Sequence, residues 1–270
     1  PVSRRTHNRR RLGRRTTCPS RGARVKSWTR TLNLDDSHTL LAAVQPGMTF
    51  ESWKNECHVA LSDLSMPRRR ELIRILRDDF LDWTEDGIVN DGLFLRFYER
   101  AAALAQVDLV GVQWALSHPL ALVAADELVG PALEMGDPKI PLQAFDDLVA
   151  HHVKTESAES LRKTRTVLLG ALENIGTLVT RGTGQHRSLE AARGAPHPMA
   201  FGYLVLYDLQ NRKIDAMISS EVAESSLPMR LTQCFASHGR QCIEWNIKAN
   251  ILCEHDDEIG VANVPGGFST

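Results

Sequence analysis

The stretch SLRKTRTVLLGALENIGTLVTRGTGQHRSL, residues 160–189, decides how the chain is read, because its period changes partway along. Its first half is a basic turn carrying Arg162, Lys163 and Arg165, which runs into an apolar helix and stops at Gly176, a residue suited to the left-handed position after a helix. Residues 177–180 are β-prone, RGTGQ is turn chemistry, and a return strand or loop leads toward ARGAPHP. Upstream, PLQAFDDLVAHHV predicts a short helix and TESAES a turn in which Ser157 or Ser160 caps the next one. Helix, turn, helix, hairpin is the order of a winged-helix module. A helical hairpin with an irregular loop fits the same residues.

Working outward, the chain is 270 residues long and 43% hydrophobic, enough for a substantial core. Aromatics make up only 6%, and the apolar residues are mostly Leu, Ala and Val, which favours packed helices over a β-sandwich. TFESWKNECHVALSDL predicts a first helix capped by Thr49, and MPRRRELIRILRDDFLDW a second, with Ser65 as cap and Pro67 in its first turn. LFLRFYERAAALAQV predicts one helix with Leu93, Phe97, Ala101 and Leu104 on a face, and Pro119 starts another. QCIEWNIKANILCE predicts a strand or a mixed element. The expected fold is mainly α: a helical bundle with a C-terminal winged-helix-like helix-hairpin module. The turn cluster GDPKIP divides it, giving a disordered basic arm at 1–47, an N-terminal helical domain at 48–136, a winged-helix-like domain at 137–252 and a flexible tail at 253–270.

The net charge of −1 conceals an asymmetry. Residues 1–34 hold eleven Lys or Arg and no acid, while the remainder holds 21 bases against 33 acids. Such an arm has too little apolar patterning to offset the entropy of ordering, and its charge suits either an electrostatic tether to nucleic acid or an upstream tail. Two further basic clusters stand out from the acidic body. Arg162, Lys163 and Arg165 combine with Arg181, His186 and Arg187 of the hairpin, and Arg68, Arg69 and Arg70 open the second helix. Guanidinium and ammonium groups at such places neutralise phosphates, so these nine residues are the candidate DNA contacts. In the second cluster, Asp78 and Asp79 are spaced to pair with Arg74 and its neighbours instead.

Catalytic signatures are absent from the sequence: it has no GxSxG elbow, no P-loop and no GxGxxG. His151, His152 and Glu156 invite a metal but lack the HExxH pattern and a third ligand, and the five cysteines match no zinc module, so no metal or other cofactor is expected. An odd cysteine count without CxxC pairs points to a reducing, cytoplasmic setting, and no apolar run reaches the roughly 18 residues of a membrane span.

The order of parts resembles the BrxA family, small helical proteins of BREX phage-defence systems that are similar to the NusB antitermination factor. The resemblance covers about residues 48–252. It rests on SWKNE in the first helix, PRRRELIRILRDDFLDW in the second, a buried helical middle and the S-x-x-K-T-R…L-x-x-x-G-x-L piece before the hairpin. The basic arm and the acidic CEHDDE segment depart from it. The resemblance implies a non-enzymatic accessory protein that binds double-stranded DNA, has other BREX proteins as partners and stays off membranes. An RNA-binding antitermination-type factor or a protein-interaction scaffold is the alternative.

Overall fold

Ordered structure starts well before Met48. The computed structural model describes residues 25–154, 157–182, 188–212, 218–256 and 258–262. An extended segment leads into helix α1 (Leu34–Ala42), whose start is held by the Asn33 side chain accepting from the N–H groups of Asp35 and Asp36. Residues 25–47, expected in the basic arm, are therefore part of the fold: Trp28, Leu40 and Leu41 are buried in the core. In α1 Ser37, Leu40 and Leu41 form the buried face, one helical turn apart.

Helix α2 (Phe50–Ala60) begins at Thr49, whose hydroxyl accepts from Ser52 N–H, and α3 (Met66–Asp79) follows Ser65 with Pro67 in its first turn. Helix α4 (Leu93–Arg100) does not continue to residue 107. Ala101 and Ala102 are extended, with ψ of 138° and 159°, and α5 (Ala103–Leu116) starts afresh. The break takes Leu104 off the expected stripe and leaves it 80% exposed. A continuous helical rod comes next, turned 94° from α5 and made of α6 (Pro119–Ala124), one wide π-type turn (Ala125–Val129) and α7 (Gly130–Glu134).

Then come strand β1 (Lys139–Ile140), α8 (Leu142–His152), α9 (Ala158–Asn174), β2 (Leu178–Arg181) and β3 (Ser188–Ala191). β3 lies between its two antiparallel neighbours, so the sheet order is β1-β3-β2, with Ile140 opposite Leu189 and Leu178 opposite Ala191. The long helix α10 (Pro198–Arg212) crosses the core and leads to β4 (Ile218–Ser219), α11 (Ser220–Glu224), α12 (Leu227–Arg230), a second π-type turn (Phe235–Gly239), α13 (Arg240–Lys248), β5 (Leu252–His255) and β6 (Glu258–Val261). This second sheet has the order β4-β6-β5. Of the two readings of QCIEWNIKANILCE, the mixed element is the one found: residues 240–248 are helical, with Cys242, Ile243 and Asn246 on one buried face, and β5 follows. One sequence expectation fails here. Residues 253–261 are not a loose tail, because β5 and β6 pair through His255 and Glu258.

The turn near residue 137 separates no cores. Phe94 and Phe97 of α4 meet Tyr203 of α10 edge to face at 6.2 and 5.5 Å, and the Tyr203 hydroxyl is hydrogen-bonded to Gln113 of α5. One hydrophobic cluster runs from Trp28 to Ile259. Buried aromatics such as Trp53, Phe97, Phe145 and Phe201 contribute on the order of 2–3 kcal/mol each to it. No single helix among the described residues is long and apolar enough to cross a membrane.

Candidate nucleic-acid interface

Helix α9 is the framework of the site. Ser157 caps it by accepting from Ser160 N–H, and Gly176, with φ of +71°, donates its N–H to Glu173 O just beyond the last turn. Thr164, Val167, Leu168, Ala171 and Leu172 face the core. On the opposite side Glu159, Arg162, Lys163, Thr166 and Asn174 are exposed. Gly170 belongs to this outer face, and a Cβ added there would meet nothing within 4 Å. The far end of the helix is joined to β2 by a hydrogen bond between Thr180 and Glu173.

Seven of the nine candidate residues are described, and five of those are engaged within the chain. Arg165 reaches both carboxylate oxygens of Asp146 with its Nη1 at 2.6 and 2.8 Å, bracing α9 against α8. Arg69 is likewise structural. Its guanidinium donates to the carbonyls of Leu64, His58 and Ser62 and closes the C-terminal end of α2. Arg68 pairs with Glu71 at 2.8 Å and donates to Thr31 O, so it too is committed within the chain. Lys163 pairs with Glu159 one turn earlier at 2.7 Å, and its ammonium holds that carboxyl below the usual range. Arg181 sits 3.5 Å from Glu190 across the β2–β3 pair. Arg162 and Arg70 are exposed side chains, and Arg74, expected to pair with the aspartates after it, is exposed while Arg77 takes Asp78 at 2.7 Å. His186 and Arg187 lie outside the described residues.

Spacing alone could not separate these fates. A helix face of arginines looks identical in sequence whether its partners are solvent or the carbonyls of the preceding helix. What sequence reading missed altogether is the support behind α9. Trp28 donates its backbone N–H to the buried Thr164 Oγ1 at 3.0 Å, and its ring stacks on His118 with centroids 4.6 Å apart and planes 2° from parallel. His118 Nδ1 accepts from Leu120 N–H, which assigns the ring proton to Nε2, where it donates to Lys26 O at 3.1 Å. Burial pushes this imidazole down to about 4, against a smaller opposing effect of the Lys26 carbonyl. A lone tryptophan in an otherwise polar basic run, SWTR, was the available signal.

The residues once weighed for metal binding go elsewhere. His152 is buried with its Nε2 3.3 Å from Glu127 in the π-type turn, and Glu156 is outside the described residues. Cys234 and Cys242 are buried free thiols. Among the described residues no three His, Cys, Asp or Glu side chains are gathered in a way that could hold a metal ion. A surface cavity of about 520 Å³ lies between α1 and the start of α5, lined by His38, Leu41, Tyr98 and Gln106, and shares no residue with the α9 face. Comparison with protein-family models, curated proteins and solved structures yields no match for this chain.

Proposed function

We propose that the chain is a DNA-binding accessory protein without catalysis of its own, and that residues 119–191 act as a winged helix with α9 as its reading helix. The observation that carries this is the order of elements: a helical rod, β1, α8, α9, β2 and β3, with β1 added to the far edge of the β2–β3 hairpin. In such a unit the second helix of the pair is the one that enters the major groove. The sequence of the hairpin loop, Gly182 to Ser188, contributes His186 and Arg187 next to Arg181.

The exposed face of α9 suits close approach to a duplex. Arg162 offers a phosphate or base contact, Thr166 is short, and Gly170 presents bare backbone where Ala would have helped the helix by roughly 0.5–1 kcal/mol. Nothing among the described residues requires glycine there, since the Cβ position is open. A role in phage defence, with other BREX proteins as partners, rests on the family resemblance. In that setting the chain would supply duplex binding to an assembly whose chemistry resides in other subunits.

The test is fluorescence anisotropy of the full chain on a 30-bp duplex across a salt series, beside single-stranded RNA of equal length. Salt-dependent duplex binding is expected, and Arg162→Ala should lower the log-log slope by about 0.9, the share of one phosphate contact. A clear preference for RNA would instead support the antitermination-type reading, and absence of any nucleic-acid binding the scaffold reading.

A further inference from the structure

Leu104 is the most exposed large apolar side chain among the described residues, at 80%, and it stands beside a hole. The extended pair Ala101 and Ala102 restarts the chain as α5 and leaves this leucine pointing outward, with Val107, 39% exposed, one turn further along the same side. Ala103 and Val107, on either side of it in sequence, both line the cavity of about 520 Å³ between α1 and the start of α5. A projecting apolar knob and a largely apolar recess therefore adjoin on one surface.

The recess is held firmly by its own frame. Leu41, 2% exposed, and Val44 form its buried lining, and Ala42 is an exposed part of the same wall. His38 Nδ1 and the Tyr98 hydroxyl are hydrogen-bonded at 2.9 Å, which ties α1 to α4. Gln106 donates to Tyr98 O at 3.0 Å, which ties α4 to α5. Charge on this face does not oppose contact with a like surface. Burial holds the His38 ring below its ordinary range, against a smaller opposing effect of Asp35, so it is neutral at pH 7. Glu99 is the one carboxylate in the lining, Arg100 follows it at the surface, and Asp91 nearby is paired with Arg96 at 3.0 Å.

The knob and the recess together say what kind of occupant fits. A small molecule that filled the recess would leave Leu104 in water. A second copy of the same surface covers both, because across a two-fold axis every contact is made twice, each patch serving as its own complement. We infer that this face joins two copies of the chain about a two-fold axis, with Leu104 of each copy entering the recess between α1 and α5 of the other. The face shares no residue with the outer side of α9, so this association and the proposed duplex binding are separate properties, and neither rests on the other.

The test is the mass of the full chain in the absence of nucleic acid, measured by sedimentation equilibrium from about 1 to 100 µM. A monomer–dimer equilibrium is expected in that range. Leu104→Ser removes the knob and Ala42→Trp fills the recess; both alter exposed side chains, and circular dichroism checks that each variant folds. Each is expected to raise the dissociation constant by about 30-fold or more, the loss typical of a central interface side chain. An equimolar mixture of the two variants gives the sharper reading. In a mixed pair the leucine kept by Ala42→Trp meets the recess kept by Leu104→Ser, so the mixture is expected to dimerise more tightly than either variant alone. A wild type that remains monomeric across the whole range would overturn the inference. So would variants that associate like the wild type, or a mixture that is no tighter than its components.

Discussion

The two small sheets invite comparison, because they are wired alike and dressed differently. Each is a hairpin whose return strand pairs with a two-residue strand from earlier in the chain, giving β1-β3-β2 in one and β4-β6-β5 in the other. Helices fill the interval in both, α8 and α9 in the first, α11 to α13 in the second. The first unit has a 17-residue helix before its hairpin and six residues between the paired Arg181 and Ser188. The second has a nine-residue helix, and only two residues between His255 and Glu258, with Asp256 at φ +49°. Charge follows the same division. The loop GTGQHR of the first contains no acid, whereas EHDDE of the second is almost entirely acidic, and the exposed Arg240 on α13 pairs with Glu254 and Glu244. One topology thus carries a loop sequence without acids in one unit and an acidic one in the other.

Val25 and Trp28 are hydrogen-bonded to the α8–α9 pair of the first unit, so cutting that tie should divide the two most sharply. Trp28→Ala removes a buried indole and is expected to destabilise by about 3–5 kcal/mol, with faster hydrogen exchange in α8 and α9 and little change in α13. Uniform acceleration across both units would show that they do not open separately.

Acid should act on the same unit. The folded state holds His118 neutral with its pKa depressed from 6.5 to about 4, so the unfolded chain binds the proton more readily between those values. The stabilisation is fully present above pH 6.5 and is lost as the pH falls through 4, amounting to about 3 kcal/mol. Denaturant midpoints measured from pH 7 to 4 should therefore fall for the wild type and fall less for His118→Gln.

A smaller effect is expected between the helices of the first unit. Arg165→Ala leaves Asp146 without its two guanidinium contacts at a partly solvated site and should cost about 1 kcal/mol. Its effect on duplex affinity should be smaller than that of Arg162→Ala, which costs no stability. The opposite ranking in binding would return Arg165 to the interface.

The smallest effect carries the most information about α9. Gly170→Ala should raise stability by roughly 0.5–1 kcal/mol, since the Cβ enters open space and the helix gains propensity, yet weaken duplex binding. Arg240→Ala in the second unit should leave binding unchanged. A Gly170→Ala variant that is more stable and binds equally well would remove the argument from bare backbone.

Much of this was legible in the residues themselves. The mainly helical class, the caps at Thr49 and Ser157, the stop at Gly176 and the period change into β2 follow from local chemistry, where a hydroxyl, a left-handed glycine or a β-branched run acts on its own few neighbours. Those effects need no partner from elsewhere in the chain. Tertiary structure alone decided the rest. Whether Arg69 faces solvent or caps a helix, whether Trp28 belongs to a tail or a core, and whether two hairpins each recruit a distant two-residue strand depend on groups up to 136 residues apart in sequence. The same holds for residues 240–248 and 93–107, where burial of Asn246 against Gly202 and the extended pair Ala101–Ala102 set the outcome. Periodicity reports which side of an element is apolar, and it carries no information about what that side, or the charged side opposite, will meet.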